Sequence, residues 1–399
     1  MAEDLLARIE AYEKTLAEEG LPKDPMIRRR LEQSAQRLSR SLEDSQDLTH
    51  RLLCSAPTEL AILRIGVNLG IYHMLATSES PVPFDELQGS TGADPSLLSR
   101  ILNALVEFKS VVQKPQSGGS AYSLPDSARY LADPTFSKAY LECMDFMFPS
   151  FTALPGKLAA EKYKSPQDDP RHAALQTAHH YEGKSIFDFM MANPGVAAAF
   201  SQLMTTWGDH DSQLHSIYPI DRLQNGFEPS SSNVIFVDVG GARGQKSIVL
   251  KEASPGLPGR IIIQDLQHTI DAAPKSELVE HQVHDFFTEQ PCKGARAYYL
   301  RRVLHDWPDE GSVKILTHLK NAMVPKYSKV LIHDHVLPDS EQEIVPVAQD
   351  ITMMTLCGTR ERTRREWNEL LARAGLKMVE VFASEDRSDM RVIEAVRSQ

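Results

Sequence analysis

Long apolar runs are missing from this sequence. Across 399 residues no stretch approaches the roughly 18 consecutive apolar side chains that a bilayer-spanning helix needs. Cysteine is scarce as well. Cys54, Cys143, Cys292 and Cys357 are scattered and never form C-x-x-C, which argues against a disulfide framework or a structural zinc site and fits a reducing compartment. Excess positive charge is also lacking. With 43 Lys and Arg against 54 Asp and Glu, the net charge of -11 repels phosphate backbones and anionic lipid heads. Neither nucleic acid nor a membrane surface is therefore expected as a partner. The opening residues MAEDLLARIEAYEKTLAEEG lack the basic-then-apolar order of a signal peptide, so a cytoplasmic protein is expected.

A chain this long predicts two or three domains, because one core rarely grows past about 250–300 residues. Residues 1–50 read as a charged helical extension, with Leu5, Ile9, Tyr12 and Leu16, then Ile27, Leu31, Leu38 and Leu42, at helical spacing. Such a face must pack on its own chain or on a twin subunit. Residues 51–145 offer a helix ended by Gly70, a second from Pro83, and a third capped by Asp94 with Pro95 in its first turn. A strand pair, 110–114 and 121–124, follows around Ser117-Gly118-Gly119-Ser120, completing a winged-helix pattern. Its presumptive recognition helix offers only Arg100 where DNA docking needs a basic stripe, so a structural or dimerising role is expected.

Residues 146–232 read as a helical linker carrying Phe187, Met190, Met191, Phe200, Met204 and Trp207 at helical spacing. That spacing suits plain core packing or an apolar lid over a flat ligand. From residue 233 short apolar runs alternate with helices. Strands are predicted at 234–239, 260–264, 281–284, 297–300, 329–336, 378–383 and 391–395. This alternation specifies an α/β, mostly parallel, doubly wound sheet over 233–399.

Ligands of such sheets lie beyond the carboxyl ends of the strands. After the first strand comes Asp238-Val239-Gly240-Gly241-Ala242-Arg243-Gly244, a glycine turn opening a helix. Its G-G-x-x-G spacing lacks the leading G-x-G of a nicotinamide-dependent oxidoreductase, and Asp238 suits a ligand carrying an ammonium group better than a pyrophosphate. Asp265 and Leu266 follow the second strand, 25 positions beyond Gly240, where an acid can accept both ribose hydroxyls. Asp285-Phe286-Phe287 follows the third, offering a carboxylate for an adenine amine and a ring for its face. Asp265 and Asp285 also read as simple helix caps. His305 follows the fourth strand in Leu304-His305-Asp306-Trp307-Pro308, Asp334 lies late in the fifth, and Glu361 precedes the helix beginning near Arg365. One histidine and two carboxylates from separate loops form an acid–base set.

These pieces, in this order, resemble the caffeate/hydroxyindole-type small-molecule O-methyltransferases of plants and fungi, from about residue 55 to the C-terminus. Asp285-Phe286-Phe287 and Arg301-Arg302-Val303-Leu304-His305 resemble the fungal secondary-metabolism branch in particular. The resemblance implies a Rossmann-like class I methyltransferase sheet with an N-terminal winged-helix dimerisation domain, a homodimer, S-adenosylmethionine as cofactor and S-adenosylhomocysteine as product. No metal is expected. It places the glycine loop at the methionine moiety, Asp265 at the ribose, Asp285 and Phe286 at adenine, and Arg301 near the cofactor. It makes His305 the general base flanked by Asp334 and Glu361. Phe200 and Met204, with Trp207, Met353 and Met354, would line the pocket of a small aromatic or polyketide-type acceptor. Ala242 departs from the usual third glycine, and His284 from a glycine common in the plant branch. Relatives in the fungal branch that dehydrate or cyclise a substrate without methyl transfer supply the alternative activity.

Overall fold

The computed structural model describes residues 2–116, 119–164, 169–210, 213–229, 233–338, 344–383 and 390–398. They form two compact units, Met1–Asp145 with Pro194–Asp209, and Phe146–Asn193 with His210–Gln399.

The first unit opens with helices Ala2–Glu19 and Pro25–Leu42, the second begun by Asp24, whose carboxylate accepts the N–H groups of Met26 and Ile27. Helix Ser45–His50 runs through a widened π-type turn, Arg51–Ser55, into Ala56–Asn68. Gly70, with φ of +70°, then turns the chain into Ile71–Thr77. Strand β1 (Val82–Pro83), helices Phe84–Thr91 and Pro95–Glu107, β2 (Val112–Gln116) and β3 (Gly119–Ser123) follow. The strands pair antiparallel in the order β1-β3-β2. Ile71, Leu87, Leu98, Leu102 and Leu105 meet in one buried core because they recur every three or four positions on their helices.

The second unit is built on β4 (Val234–Val239), β5 (Arg260–Asp265), β6 (Glu280–Val283), β7 (Ala297–Arg301), β8 (Lys329–Leu337), β9 (Arg362–Thr363), β10 (Leu376–Ala383) and β11 (Met390–Arg397). The order across the sheet is β10-β11-β8-β7-β4-β5-β6, with β9 paired to β8. Strands β4 to β8 run parallel, and β11 and β10 join antiparallel. β6 begins one residue earlier than its apolar pattern suggested, leaving His284 to donate its backbone N–H to the Asp265 carbonyl at 2.9 Å.

Strand side chains alternate between two cores. Tyr298, Leu300, Val330 and Ile332 face helices Asp309–Ala322 and Arg364–Arg373, while Tyr299 and Leu331 face the layer that includes Leu214, Tyr218 and Leu250. Burying each such side chain contributes about 1.5–3 kcal/mol. Chain order reverses beside β4: β5 and β6 are added on one side, β7 and β8 on the other. The connections on the two sides leave in opposite directions and open a crevice at the carboxyl ends of the strands. Among the described residues, no single helix is long and apolar enough to cross a membrane.

Candidate active site

The glycine turn leaves the end of β4. A side chain at Gly241 would meet the Asp238 carboxylate, with Cγ at 2.5 Å, and one at Gly244 would strike Ile263 in a turn whose φ is +84°. Both positions therefore exclude any larger residue. The turn is tied to β5: Gly240 and Gly241 donate to the Gln264 carbonyl at 2.8 and 3.1 Å, and Ala242 donates to Asp265 Oδ2 at 2.9 Å. Gly240 presents bare backbone toward Val303 and Phe286.

Asp238 lies beneath this turn. It is buried and accepts a 2.6 Å hydrogen bond from Ser247 Oγ, and burial raises it to about 6 although Ser247 and Arg301 favour its charge. Its clear structural task is to hold the turn against the helix Gln245–Ala253. Asp265 caps no helix. Its two oxygens accept the N–H groups of Ala242 and Leu266, leaving each with lone pairs free. Leu266 is exposed beside it. Asp285 is exposed and accepts the Phe287 N–H at 2.9 Å in a turn rather than a cap. Phe286 packs edge-on to Phe287 and Trp307, and Phe187 stacks on Trp307 at 5.3 Å. Arg301 ends β7, half-buried.

Ala242 has φ of +50° and is exposed. An L-residue there costs about 1–2 kcal/mol, partly offset because glycine loses about 0.4–1 kcal/mol more chain entropy. Ala242→Gly is expected to stabilise the protein slightly, raising the melting temperature by roughly 1–4 °C in calorimetry. A fall would mean that the methyl group makes a contact worth more than the strain.

His305 sits in the single 3-10 turn Leu304–Asp306 directly after β7, and the structure brings both expected carboxylates to it. Its Nδ1 lies 2.9 Å from Glu361 Oε1 and 3.5 Å from Asp334 Oδ1. All three side chains are buried, and their ligand-type atoms fall within 4.8 Å of one another. Asp306 lies on the other edge of the ring, its Oδ1 3.6 Å from Nε2, with 26% of its side chain still exposed. Burial alone would lower the His305 pKa. The fields of Asp334, Glu361 and Asp306, with the Glu361 hydrogen bond, outweigh it and carry His305 to about 10. Burial lifts Asp306 to about 6, and raises Asp334, against the pull of the imidazole.

Two further residues build this site, and the sequence reading assigned neither a role. Arg362, fully buried, donates from Nη1 to the Leu304 carbonyl and from Nη2 to the Trp307 carbonyl, each at 3.0 Å, and grips Asp309 through Nε and Nη2. It clamps both ends of the turn that carries His305. Asp350 accepts the backbone N–H of Glu361 at 2.9 Å. An arginine next to Glu361 in the chain was the available signal for the first; no local pattern marks the second. Of the expected acceptor residues, Phe200 and Met204 lie half-buried on helix Pro194–His210 of the first unit. Met353 is buried and Met354 half-buried on helix Ile344–Cys357 of the second. The side chain of Trp207 lies outside the described residues.

A doubly wound sheet with a bare glycine turn, a carboxylate with free lone pairs and a buried histidine–carboxylate set at its switch point is the place where such a fold receives its ligand. The comparisons with known proteins agree. Residues 168–377 match the O-methyltransferase domain family. The chain is 31% identical over 380 residues to the demethylsterigmatocystin 6-O-methyltransferase of Aspergillus parasiticus, spanning 94% of this chain and 95% of that one. It is 32% identical to the O-methyltransferase mpaG of Penicillium brevicompactum over 349 residues, 86% of each chain. LepI solved in complex with S-adenosylmethionine superposes with a TM-score of 0.87 at 28% identity, covering 100% of both chains. A structure described as a pericyclic reaction enzyme matches equally. The chain belongs to the O-methyltransferase family. It is an S-adenosylmethionine-dependent O-methyltransferase.

Proposed function

We propose that this enzyme methylates a hydroxyl of a small aromatic or polyketide-type secondary metabolite, with His305 as general base. The observation that carries this reading is the buried histidine held between Asp334 and Glu361 at the end of β7. Bound S-adenosylmethionine would supply an electrophilic methyl group. The bare backbone of Gly240 and Gly241, with Gly244, would receive its methionine part. Asp238 behind that turn and Arg301 beside it would set the local field. Asp265 and Leu266 would hold the ribose, and Asp285 and Phe286 the adenine. The free lone pairs of Asp265 and the position of Phe286 against Gly240 support the fit.

The chain's own chemistry is proton removal. A free imidazole, near ~6.5, takes a proton from a phenol near ~10 only uphill. Lifted to about 10, His305 matches the phenol, so the transfer is close to level. Glu361 on Nδ1 fixes the ring and stabilises the imidazolium, leaving Nε2 to face the acceptor. The 2.9 Å separation of His305 Nδ1 from Glu361 Oε1 is a hydrogen-bond distance. Asp306, half-buried where Asp334 and Glu361 are fully buried, would touch the acceptor beside Nε2. Met353 and Met354 would wall the acceptor pocket.

The charge state has a direct test. In the ligand-free protein, histidine-selective NMR should find His305 still imidazolium at pH 8 and titrating near 10, and Glu361→Gln should lower that value. Because the neutral ring is the base, turnover rises with pH on the alkaline side. Because the folded pKa lies above the unfolded ~6.5, the stability His305 contributes is full below that pH and is lost as pH climbs toward 10. Titration near 6.5 would remove the matched-base argument.

A second reading is favoured by the LepI likeness: a non-methylating rearrangement assisted by the bound cofactor. Formation of S-adenosylhomocysteine in step with product separates the two. Residues 51–145, a helix-rich module with the β2–β3 wing, would serve as a winged-helix dimerisation domain in a homodimer. The extension 1–50 would sit ahead of it, the 146–232 segment would contribute the acceptor pocket, and 233–399 the cofactor site.

A further inference from the structure

The His305 cluster has more binding capacity than proton transfer uses. Its imidazole faces two buried carboxylates through one nitrogen, Nδ1, with Glu361 Oε1 at 2.9 Å and Asp334 Oδ1 at 3.5 Å. Each carboxylate keeps a second oxygen, Asp334 Oδ2 and Glu361 Oε2, that is buried and accepts no hydrogen bond. Buried acceptors are almost always satisfied in folded proteins, so two of them on carboxylates that share one imidazole point to a ligand. Even with the imidazole protonated, two carboxylates against one cation leave net negative charge away from water, and a cation answers it.

The donor set says which cation. One imidazole nitrogen and carboxylate oxygens, with no thiolate in the set, suit a borderline divalent transition metal. Mg2+ demands octahedral oxygen ligands and gives up its water reluctantly, so it fits a buried set of this kind poorly. Zinc sits about 2.0–2.2 Å from such ligands, which places them roughly 3.3 Å apart in a tetrahedron. The two observed separations from Nδ1, 2.9 and 3.5 Å, bracket that value. Among the described residues no other group of three His, Cys, Asp or Glu side chains converges in this way. The exposed pair of His172 and Asp169, 3.0 Å apart, lacks the third ligand.

We propose that His305 Nδ1, Asp334 and Glu361 form an inhibitory site for a divalent transition metal of the Zn2+ type. The ion takes the place of the Nδ1 proton, which leaves to solvent. The remaining ring proton stays on Nε2, the nitrogen assigned above to the acceptor, so the ring can no longer accept one. Metal binding follows from the cluster alone; the inhibition rests on the general-base reading.

The test uses the full chain, stripped with a chelator, with Zn2+ and Co2+ as probes. Calorimetry should find one equivalent of Zn2+ whose affinity falls at least about tenfold in Glu361→Gln and in Asp334→Asn, and does not move in His172→Ala. Co2+ should give the visible bands of a four-coordinate site in the wild type and lose them in both carboxylate variants. Each of those swaps keeps the side chain's size, and thermal melting of the metal-free chains checks the fold. Histidine-selective NMR of the wild type needs no variant: one equivalent of Zn2+ should displace the His305 ring signal before that of His172. Equal Zn2+ affinity in the wild type and both carboxylate variants, an unmoved His305 signal, or no binding at about 100 µM Zn2+ would overturn the site. Full turnover by the zinc-saturated enzyme would overturn the inhibition. The general-base reading falls separately, only if His305→Gln also turns over normally.

Discussion

Turnover of His305→Gln is expected to fall by about 10²–10⁴, measured as S-adenosylhomocysteine formed under saturating cofactor. Glutamine keeps a polar side chain near Glu361 but has no nitrogen that accepts a proton from the acceptor hydroxyl. What survives is alignment of acceptor and cofactor, so the loss should stop well short of the uncatalysed rate. Cofactor affinity, read by calorimetry, should barely move. The glycine turn, Asp265 and Phe286 belong to β4, β5 and the loop after β6, and the turn's hydrogen bonds run to β5 rather than to the imidazole. A variant that turned over normally would send the proton elsewhere, Asp306 being the nearest half-buried carboxylate at 3.6 Å. A variant that lost cofactor binding as well would show His305 to be a part of the cofactor site rather than a base.

Arg362→Ala is expected to lower stability by about 3–5 kcal/mol and the melting temperature by roughly 6–20 °C. The change strips hydrogen bonds from the Leu304 and Trp307 carbonyls inside the protein and leaves a cavity against Trp367. Asp309 keeps Arg360 and Arg373 nearby and Ser312 still donates to both carbonyls, so the cost lies mainly in the lost buried hydrogen bonds and the cavity rather than in a stranded charge. Below the melting transition the variant should still bind cofactor but turn over slowly, because the turn that aims His305 is loose. Arg362→Lys should fall between, since an ammonium keeps the charge but not the planar fork that reaches two carbonyls and a carboxylate together. A stable and fully active alanine variant would mean that Ser312, which also donates to the Leu304 and Trp307 carbonyls, holds the turn alone.

Much of this site was legible before any coordinates, and for a specific reason. In a parallel sheet the carboxyl end of every strand opens on one edge, so residues just after successive strands become neighbours whatever their separation in the chain. Gly240, Asp265, Phe286 and His305 are all of this kind, and each could be placed by finding the strand before it. Asp238 was read as a contact to an ammonium group; its position relative to the turn, buried under Gly241 and bonded to Ser247, has no signature in strand-end order. The β9 strand was invisible too. Two residues, Arg362 and Thr363, pairing with Val336 and Leu337 make no periodic pattern, yet that pairing is what brings Glu361 to the ring of His305.

The sequence by itself determined the alternation of strand and helix, the order of the strand-end residues, the glycine turn and the acid–base residue types, because periodicity and backbone freedom are local properties. Only the tertiary structure decided the charge on His305, the exposure of Asp306 and the clamp made by Arg362. Each of those depends on how far water is excluded and on which groups, 29 to 58 residues apart in the chain, come within hydrogen-bond or Coulomb range. Distance and burial in three dimensions set such energies, and neither is written in the spacing of residues along the chain.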